Sequence, residues 1–373
     1  MHICFFFNAQ RHQLLHGVSI AAAMARMPGA TVDILSPSAG HIDYARMLVE
    51  RLGGAPVRFV VAAPWLAEQV RRVTGGSVPP KLLTLALLAR RMNRYDAICL
   101  PERTSMALRR MGVTRPKFIH LDHGAGDRAA GFDPRIALFD FVLMAGPKHR
   151  ARLLRDGLIR PDVSAMVGYP KFEAAVAARP SGWRPFADDR PVVLYNPHFS
   201  TLGSWERFGG AVIHAFAEQD WYNLILAPHV RLLDGRAARV RWAAVLAEAA
   251  TSPRILVDTG SDRSIDMSHV MAADVYLGDV SSQIYEFLER PRPCLFLDAH
   301  GVDWRGNEDY AHWRFGPVLR TTDGLIAAVD AARAGQEGYR AVQVEGFAET
   351  FGPGGVGASL RAAEAVFGYL RGC

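Results

Sequence analysis

The run Gly278-Asp279-Val280-Ser281-Ser282-Gln283-Ile284-Tyr285-Glu286-Phe287-Leu288 follows an apolar, β-branched stretch, Val275–Leu277, and passes into an apolar helical pattern. A strand-to-helix turn of this kind offers unpaired backbone N–H groups and the positive end of a helix dipole, and Ser281 and Ser282 add hydroxyl donors. A diphosphate suits such a set. Glu286 lies one turn further along, where a carboxylate can accept hydrogen bonds from ribose hydroxyls. Helix capping by Asp279 or Ser281 explains the same residues without a ligand, so the rest of the sequence has to decide.

Two histidines follow predicted strands. His123 comes after Lys117–His120, and with an ordinary pKa of about 6.5 an imidazole there can take the proton from an attacking hydroxyl. Asp122 beside it can orient the ring or serve as the base itself, and Gly124 leaves room for an acceptor to approach. His229 follows Tyr222–Ala227 behind Pro228, where it can donate to phosphate oxygens as charge develops on a leaving group, with Arg231 as a second cation. Arg11 and His12, just after the first apolar run, can touch an acceptor, although a polar helix turn accounts for them equally well.

Residues so placed need strands behind them. Short β-branched and aromatic runs alternate with longer amphipathic stretches, the pattern of βαβ units around a parallel sheet. The spacing predicts strands at Ile3–Phe7, Thr31–Leu35, Val57–Val61, Asp96–Leu100, Lys117–His120, Phe139–Met144 and Ala165–Gly168, with helices at Leu14–Arg26, Tyr44–Leu52, Lys81–Arg94 and Lys148–Arg155. Pro180, Ser181, Gly182, Pro185 and Pro191 then break regular structure. Beyond them strands are predicted at Val192–Tyr195, Tyr222–Ala227, Arg254–Val257, Val275–Leu277 and Pro293–Leu297, and helices at Trp205–Glu218, Arg236–Ala249 and Gly357–Leu370. The expected organisation is a first lobe over 1–178 that takes the acceptor, a linker over 179–190, a nucleotide-donor lobe over 191–351, and a closing turn and helix over 352–373 that returns to the first lobe. In such an arrangement ligands lie at the C-terminal ends of the strands, facing the cleft.

Several motifs in this order resemble the CDP-glycerol glycerophosphotransferases, the teichoic acid polymerase-like family of GT-B fold. They are His123-Gly124, Gly168-Tyr169-Pro170, Val193-Leu194-Tyr195-Asn196-Pro197, Pro228-His229, and Ala273-Asp274 with Gly278-Asp279-Val280-Ser281-Ser282, Glu286 and Arg292-Pro293. The Gly-rich turn and helix Gly352–Arg361 match the family's closing segment. The resemblance implies that His123 is the catalytic histidine and His229 a second active-site histidine. It further implies that a CDP-activated donor passes glycerol phosphate or a similar phospho-polyol to a hydroxyl on a lipid- or glycan-linked acceptor, with no metal and no cofactor. Departures fall in the loops. Ala125-Gly126-Asp127-Arg128 stands where the family commonly has Thr-Pro and a nearby Lys, Ala227 replaces an Arg before the second His, and Pro197-His198-Phe199-Ser200 replaces Pro-Thr-Phe-Arg.

The chain has 373 residues, half of them apolar, which is enough for two cored domains. The first apolar run is far shorter than a membrane span and no small-residue cleavage site follows it, so a cytoplasmic protein is expected, working in solution or at the inner face of the membrane. Lys81–Arg94 reads first as a core helix whose basic end complements its dipole, and second as a basic amphipathic surface for an anionic membrane. Cys4, Cys99, Cys294 and Cys373 have neither metal-binding nor disulfide spacing. Asp298, His300, Asp303 and His312 are spaced too irregularly for a metal site.

A net charge of +6 favours acidic ligands, yet the basic residues are dispersed and no aromatic-interleaved nucleic-acid motif accompanies them, which argues against nucleic acid as a partner. Two alternatives to phospho-polyol transfer stay open. One is nucleotide-sugar chemistry, either glycosyl transfer or UDP-N-acetylglucosamine 2-epimerisation, and the other is non-enzymatic binding by a basic protein.

Overall fold

The computed structural model describes residues 1–74, 79–122, 125–127, 131–233, 236–352 and 354–372. Two compact units divide the chain. The first takes Met1–Gly124, Phe132–Ala178 and Ala348–Cys373, and the second takes Ala125–Gly131 and Arg179–Phe347.

Seven strands build the first unit's sheet: β1 (His2–Phe6), β2 (Thr31–Ser36), β3 (Val57–Val61), β4 (Ala97–Leu100), β5 (Lys117–Leu121), β6 (Phe141–Met144) and β7 (Ser164–Met166). They run parallel in the order β3-β2-β1-β4-β5-β6-β7. Parallel strands covered on both faces must be apolar along their length rather than alternating, and β1, β4 and β6 are buried almost residue for residue. The order reverses between β1 and β4, the position where loops splay apart and leave room for a ligand.

The helix expected over Leu14–Arg26 is broken in two. A 3-10 segment, Arg11–His16, ends at Gly17, and a helix restarts at Val18–Ala25. A Cβ on Gly17 would come within 2.8 Å of the Phe7 ring and 2.9 Å of Leu121. The chain therefore passes the core there only as glycine. The helix Lys81–Met92 sends Leu85, Leu88 and Met92 into the core beneath the sheet while Leu82 and Leu87 stay exposed. The closing helix, Ala358–Arg371, packs in this first unit, with Tyr369 stacked on Phe141 at 4.6 Å between ring centres. Among the described residues no helix is long and apolar enough to cross a membrane.

The second unit carries β8 (Val192–Tyr195), β9 (Asn223–Leu226), β10 (Ile255–Val257), β11 (Val275–Gly278), β12 (Cys294–Leu297) and β13 (Val318–Leu319), again all parallel, in the order β10-β9-β8-β11-β12-β13. Its switch point lies between β8 and β11. Each unit is thus a Rossmann-like doubly wound sheet, and the fold class is the GT-B-like α/β class expected from the sequence. The edge strand β13 was not foreseen, because two residues carry no periodicity.

Candidate functional site

The loops that leave β8, β9 and β11 are fastened together at the C-terminal edge of the second sheet. Asn196, first after β8, donates from Nδ2 to the Ala227 carbonyl after β9 at 2.6 Å and accepts from Ser281 Oγ at 2.8 Å. One side chain therefore joins three loops at the switch point. Asp279 makes a second knot. Its carboxylate is 1 % exposed and accepts from the backbone N–H of His198 (3.0 and 3.1 Å), Ser204 (2.7 Å) and Val280 (2.6 Å), and from Ser204 Oγ (2.9 Å). Burial pushes the Asp279 pKa up, and the N–H donors oppose that rise. Gly278 has to be glycine because an added Cβ would enter the ring of the fully buried Tyr276.

A third set of bonds reaches this loop from the segment Ala125–Gly131. Asp127, 4 % exposed, accepts from Tyr285 Oη at 2.7 Å, from the His312 N–H at 3.1 Å and from His312 Nδ1 at 2.8 Å. The other nitrogen of His312 lies 2.9 Å from the Asp279 carbonyl, which also accepts from Trp313 Nε1 at 2.7 Å. Both ring nitrogens of His312 thus face oxygen acceptors. Arg292, from the Arg-Pro pair of the motif, is an internal brace. It donates to the carbonyls of Val270 (3.1 Å), Ala273 (2.5 Å) and Phe287 (2.6 Å) and lies 3.7 Å above the Phe287 ring, and burial lowers its pKa to about 10.

One half-buried and two exposed side chains stand on this frame. The half-buried His229 has its ring 4.6 Å from Phe199 and 5.5 Å from His198, and the exposed Arg231 lies 4.0 Å over the same Phe199 ring. The Arg231 N–H donates to His229 Nδ1 at 3.2 Å, which favours the tautomer with its proton on Nε2, a donor suited to an anion. Pro228, which precedes His229 in the chain, is buried. Ser282 is exposed and its hydroxyl makes no capping bond, whereas Ser281 is 5 % exposed and spends its proton on Asn196. The helix that follows, Gln283–Phe287, has only five residues, so its dipole is smaller than the sequence reading supposed. Glu286 is 5 % exposed, so the carboxylate expected at a ribose is already enclosed by protein.

In the first unit, Asp122 follows β5 and pairs with the buried His149 at 2.7 Å from its Nδ1. His123 and Gly124 lie outside the described residues. Arg11 is exposed with its guanidinium 4.2 Å over Tyr44, and His12 is half-buried beside it in the 3-10 segment. At this unit's switch point Glu102 accepts from Gln13 Nε2 (2.7 Å), Thr104 Oγ1 (2.9 Å) and Lys81. Burial alone would raise the Glu102 pKa, but Lys81, Gln13 and Thr104 together bring it down to about 2.

The residues weighed for a metal are engaged separately. Asp298 accepts from the N–H groups of His300, Gly301 and Val302 and from Arg320, while His312 is held by Asp127. Cys4, Cys99 and Cys294 are buried thiols whose pKa values burial raises.

The sequence reading singled out neither Asp127 nor His198 as a functional residue. Both sit in the loops where the chain departs from the resembled family, and that departure was the available signal.

The fold and switch-point loops define a two-unit parallel α/β protein of the class that holds ligands at the C-terminal ends of its strands. MnaA of S. aureus in complex with UDP is similar over 99 % of this chain and 97 % of its own, with a TM-score of 0.65 and 14 % identity. The UDP-GlcNAc 2-epimerase of Neisseria meningitidis bound to UDP-GlcNAc is similar over 100 % of both chains, with a TM-score of 0.66 and 11 % identity. The wall teichoic acid polymerase TagF with CDPG is similar over 100 % of this chain and 88 % of its own, with a TM-score of 0.63 and 11 % identity. No protein-family model and no curated protein matches the sequence. At these identities the likeness concerns the fold.

Proposed function

We propose that the chain is a nucleotide-dependent group-transfer enzyme whose second unit takes the diphosphate of an activated donor between the loops after β8, β9 and β11. The observation that carries this reading is the binding of those three loops to one another through Asn196 at the switch point, with His229 Nε2–H and Ser282 Oγ as donors on the same edge. Asp279, Ser281 and Pro228 shape the loops and Arg231 adds charge, while Glu286, enclosed by protein, is left without the ribose role. In the first unit His123 removes the acceptor proton, Asp122 orients it or replaces it, and Gly124, Arg11 and His12 meet the acceptor. Because the protein would contribute little covalent chemistry, positioning and charge stabilisation supply most of the rate.

Phospho-polyol transfer from CDP-glycerol or a related donor to a lipid- or glycan-linked hydroxyl is the preferred reaction, carried out in the cytoplasm or at the inner membrane face. The motif order supports it, as does the likeness to TagF. A second reading, UDP-N-acetylglucosamine epimerisation or another nucleotide-sugar reaction, is favoured by the equally good likeness to MnaA with UDP and to the Neisseria enzyme with UDP-GlcNAc. Titration calorimetry with CDP-glycerol, CDP, UDP and UDP-GlcNAc separates the two, followed by assay for released CMP or for epimerised sugar. Tight binding of a cytidine donor with CMP release supports the first. Epimerised sugar replaces it with the second, and no binding of any nucleotide removes both.

A further inference from the structure

The second unit holds a cavity of about 390 Å³ beside β13, and none of its lining residues is acidic. Arg305, Arg314 and Arg320 are among its lining residues, together with Trp304, Trp313 and Tyr339. The aromatic part is rigid: Trp313 is 2 % exposed and packs edge-on against Trp304 at 6.1 Å between ring centres. The Arg305 guanidinium lies 4.9 Å over the Trp304 ring. Arg320 donates from Nε to the buried Asp298 at 3.2 Å and from Nη2 to the Val302 carbonyl at 3.3 Å. A guanidinium has five N–H groups, so that anchoring fixes Arg320 and leaves further donors for a ligand.

We infer that this cavity is a binding site for a phosphate-bearing saccharide. Guanidinium forks match phosphate oxygens in geometry and charge, and the half-buried aromatic side chains Trp304 and Tyr339 suit the C–H face of a sugar ring. The volume lies in the range of small-molecule pockets. Arg305 is exposed and holds no buried carboxylate, so it can be changed without unpairing an internal charge. Trp313 also donates to the Asp279 carbonyl, so the residues changed in the test are Arg305 and Trp304, which lie outside the proposed diphosphate loops.

Titration calorimetry of the full chain with glucose 1-phosphate, inorganic phosphate and glucose tests the assignment. Glucose 1-phosphate is expected to bind at least tenfold tighter than either fragment. Arg305→Glu should weaken it at least tenfold and Trp304→Ala should weaken it similarly, while the CDP and UDP titrations stay unchanged. Retained tryptophan fluorescence melting shows that each variant is folded, and Arg305→Gln should give the same direction with a smaller loss. Several results would overturn the inference: glucose 1-phosphate no tighter than glucose or phosphate, full affinity in Arg305→Glu, or displacement of glucose 1-phosphate by CDP or UDP.

Discussion

Replacing Asp279 by Asn keeps the volume of the side chain and turns one of its two acceptor oxygens into a donor. Oδ1 accepts from Val280 and His198 N–H, and Oδ2 from His198 N–H, Ser204 N–H and Ser204 Oγ. Whichever way the amide turns, at least one buried backbone N–H then faces an NH₂ group. An unsatisfied buried donor costs about 1–3 kcal/mol, and the remaining bonds lose their charge assistance at a further ~1 kcal/mol. Relief of the buried charge offsets part of this, since burial already raises the Asp279 pKa. The net loss should be about 2–3 kcal/mol, or roughly 5–10 °C for a unit of this size.

Tryptophan fluorescence reads this loss selectively. Six of the seven tryptophans belong to the second unit, and the other, Trp65, is 74 % exposed and changes little on unfolding. Urea melts followed by tryptophan emission should show the shift in Asp279→Asn, and less than additive loss when it is combined with Ser204→Ala, because the two share bonds. A midpoint within ~0.5 kcal/mol of the parent chain would show that the carboxylate does not brace the loops.

Arg292→Met removes three bonds to helix-terminal carbonyls and should destabilise the second unit by about 2–4 kcal/mol in the same urea melts; little change would mean water replaces the guanidinium. Gly278→Ala should lower the soluble yield and melting temperature of the chain sharply, because its Cβ would enter the Tyr276 ring, and a Tyr276→Leu partner change should recover part of the loss. Glu102 ionises at about 2 in the fold against an ordinary 4.5, so its contribution, about 3 kcal/mol, is present above pH 4.5 and fades as the pH falls through 2. Glu102→Gln should therefore weaken hydrogen-exchange protection of β4 at neutral pH and converge with the parent chain in acid. His229→Ala should weaken donor binding at least tenfold in calorimetry, while His123→Ala should leave donor binding intact and slow transfer by about 10²–10⁴-fold.

Local signals carried most of the fold. Buried parallel strands are continuous apolar runs, so Val192–Tyr195 could be read to the residue, and the edge strand Val57–Val61, which carries Arg58 and buries only Val57, was read from its β-branched and aromatic residues. Where tertiary packing decided, the reading failed. A helix whose periodicity looked continuous is interrupted at Gly17, where Phe7 and Leu121 leave no room for a Cβ. The loop Gly278–Ser282 was legible as a strand-to-helix turn, but its hydrogen bonding was not. Asp279 takes its partners from 75 and 81 residues upstream, and Ser281 takes Asn196 from 85 residues upstream. Glu286 shows the same limit, since a helical offset places a carboxylate on a face without saying whether that face is covered.

Asp127 has a consequence for how the chain is made. Its partners Tyr285 and His312 lie 158 and 185 residues further on, and the residues flanking its short segment belong to the other unit. During synthesis this carboxylate leaves the ribosome long before anything exists to receive it, and it waits in water while roughly half of the polypeptide follows. A fragment cut at the linker and expressed from residue 179 onward would lack it, leaving His312 and Tyr285 facing an empty place. A single crossover at residue 179 would thus part the second unit from its seven-residue segment Ala125–Gly131 and carry Ala348–Cys373 away from the first unit.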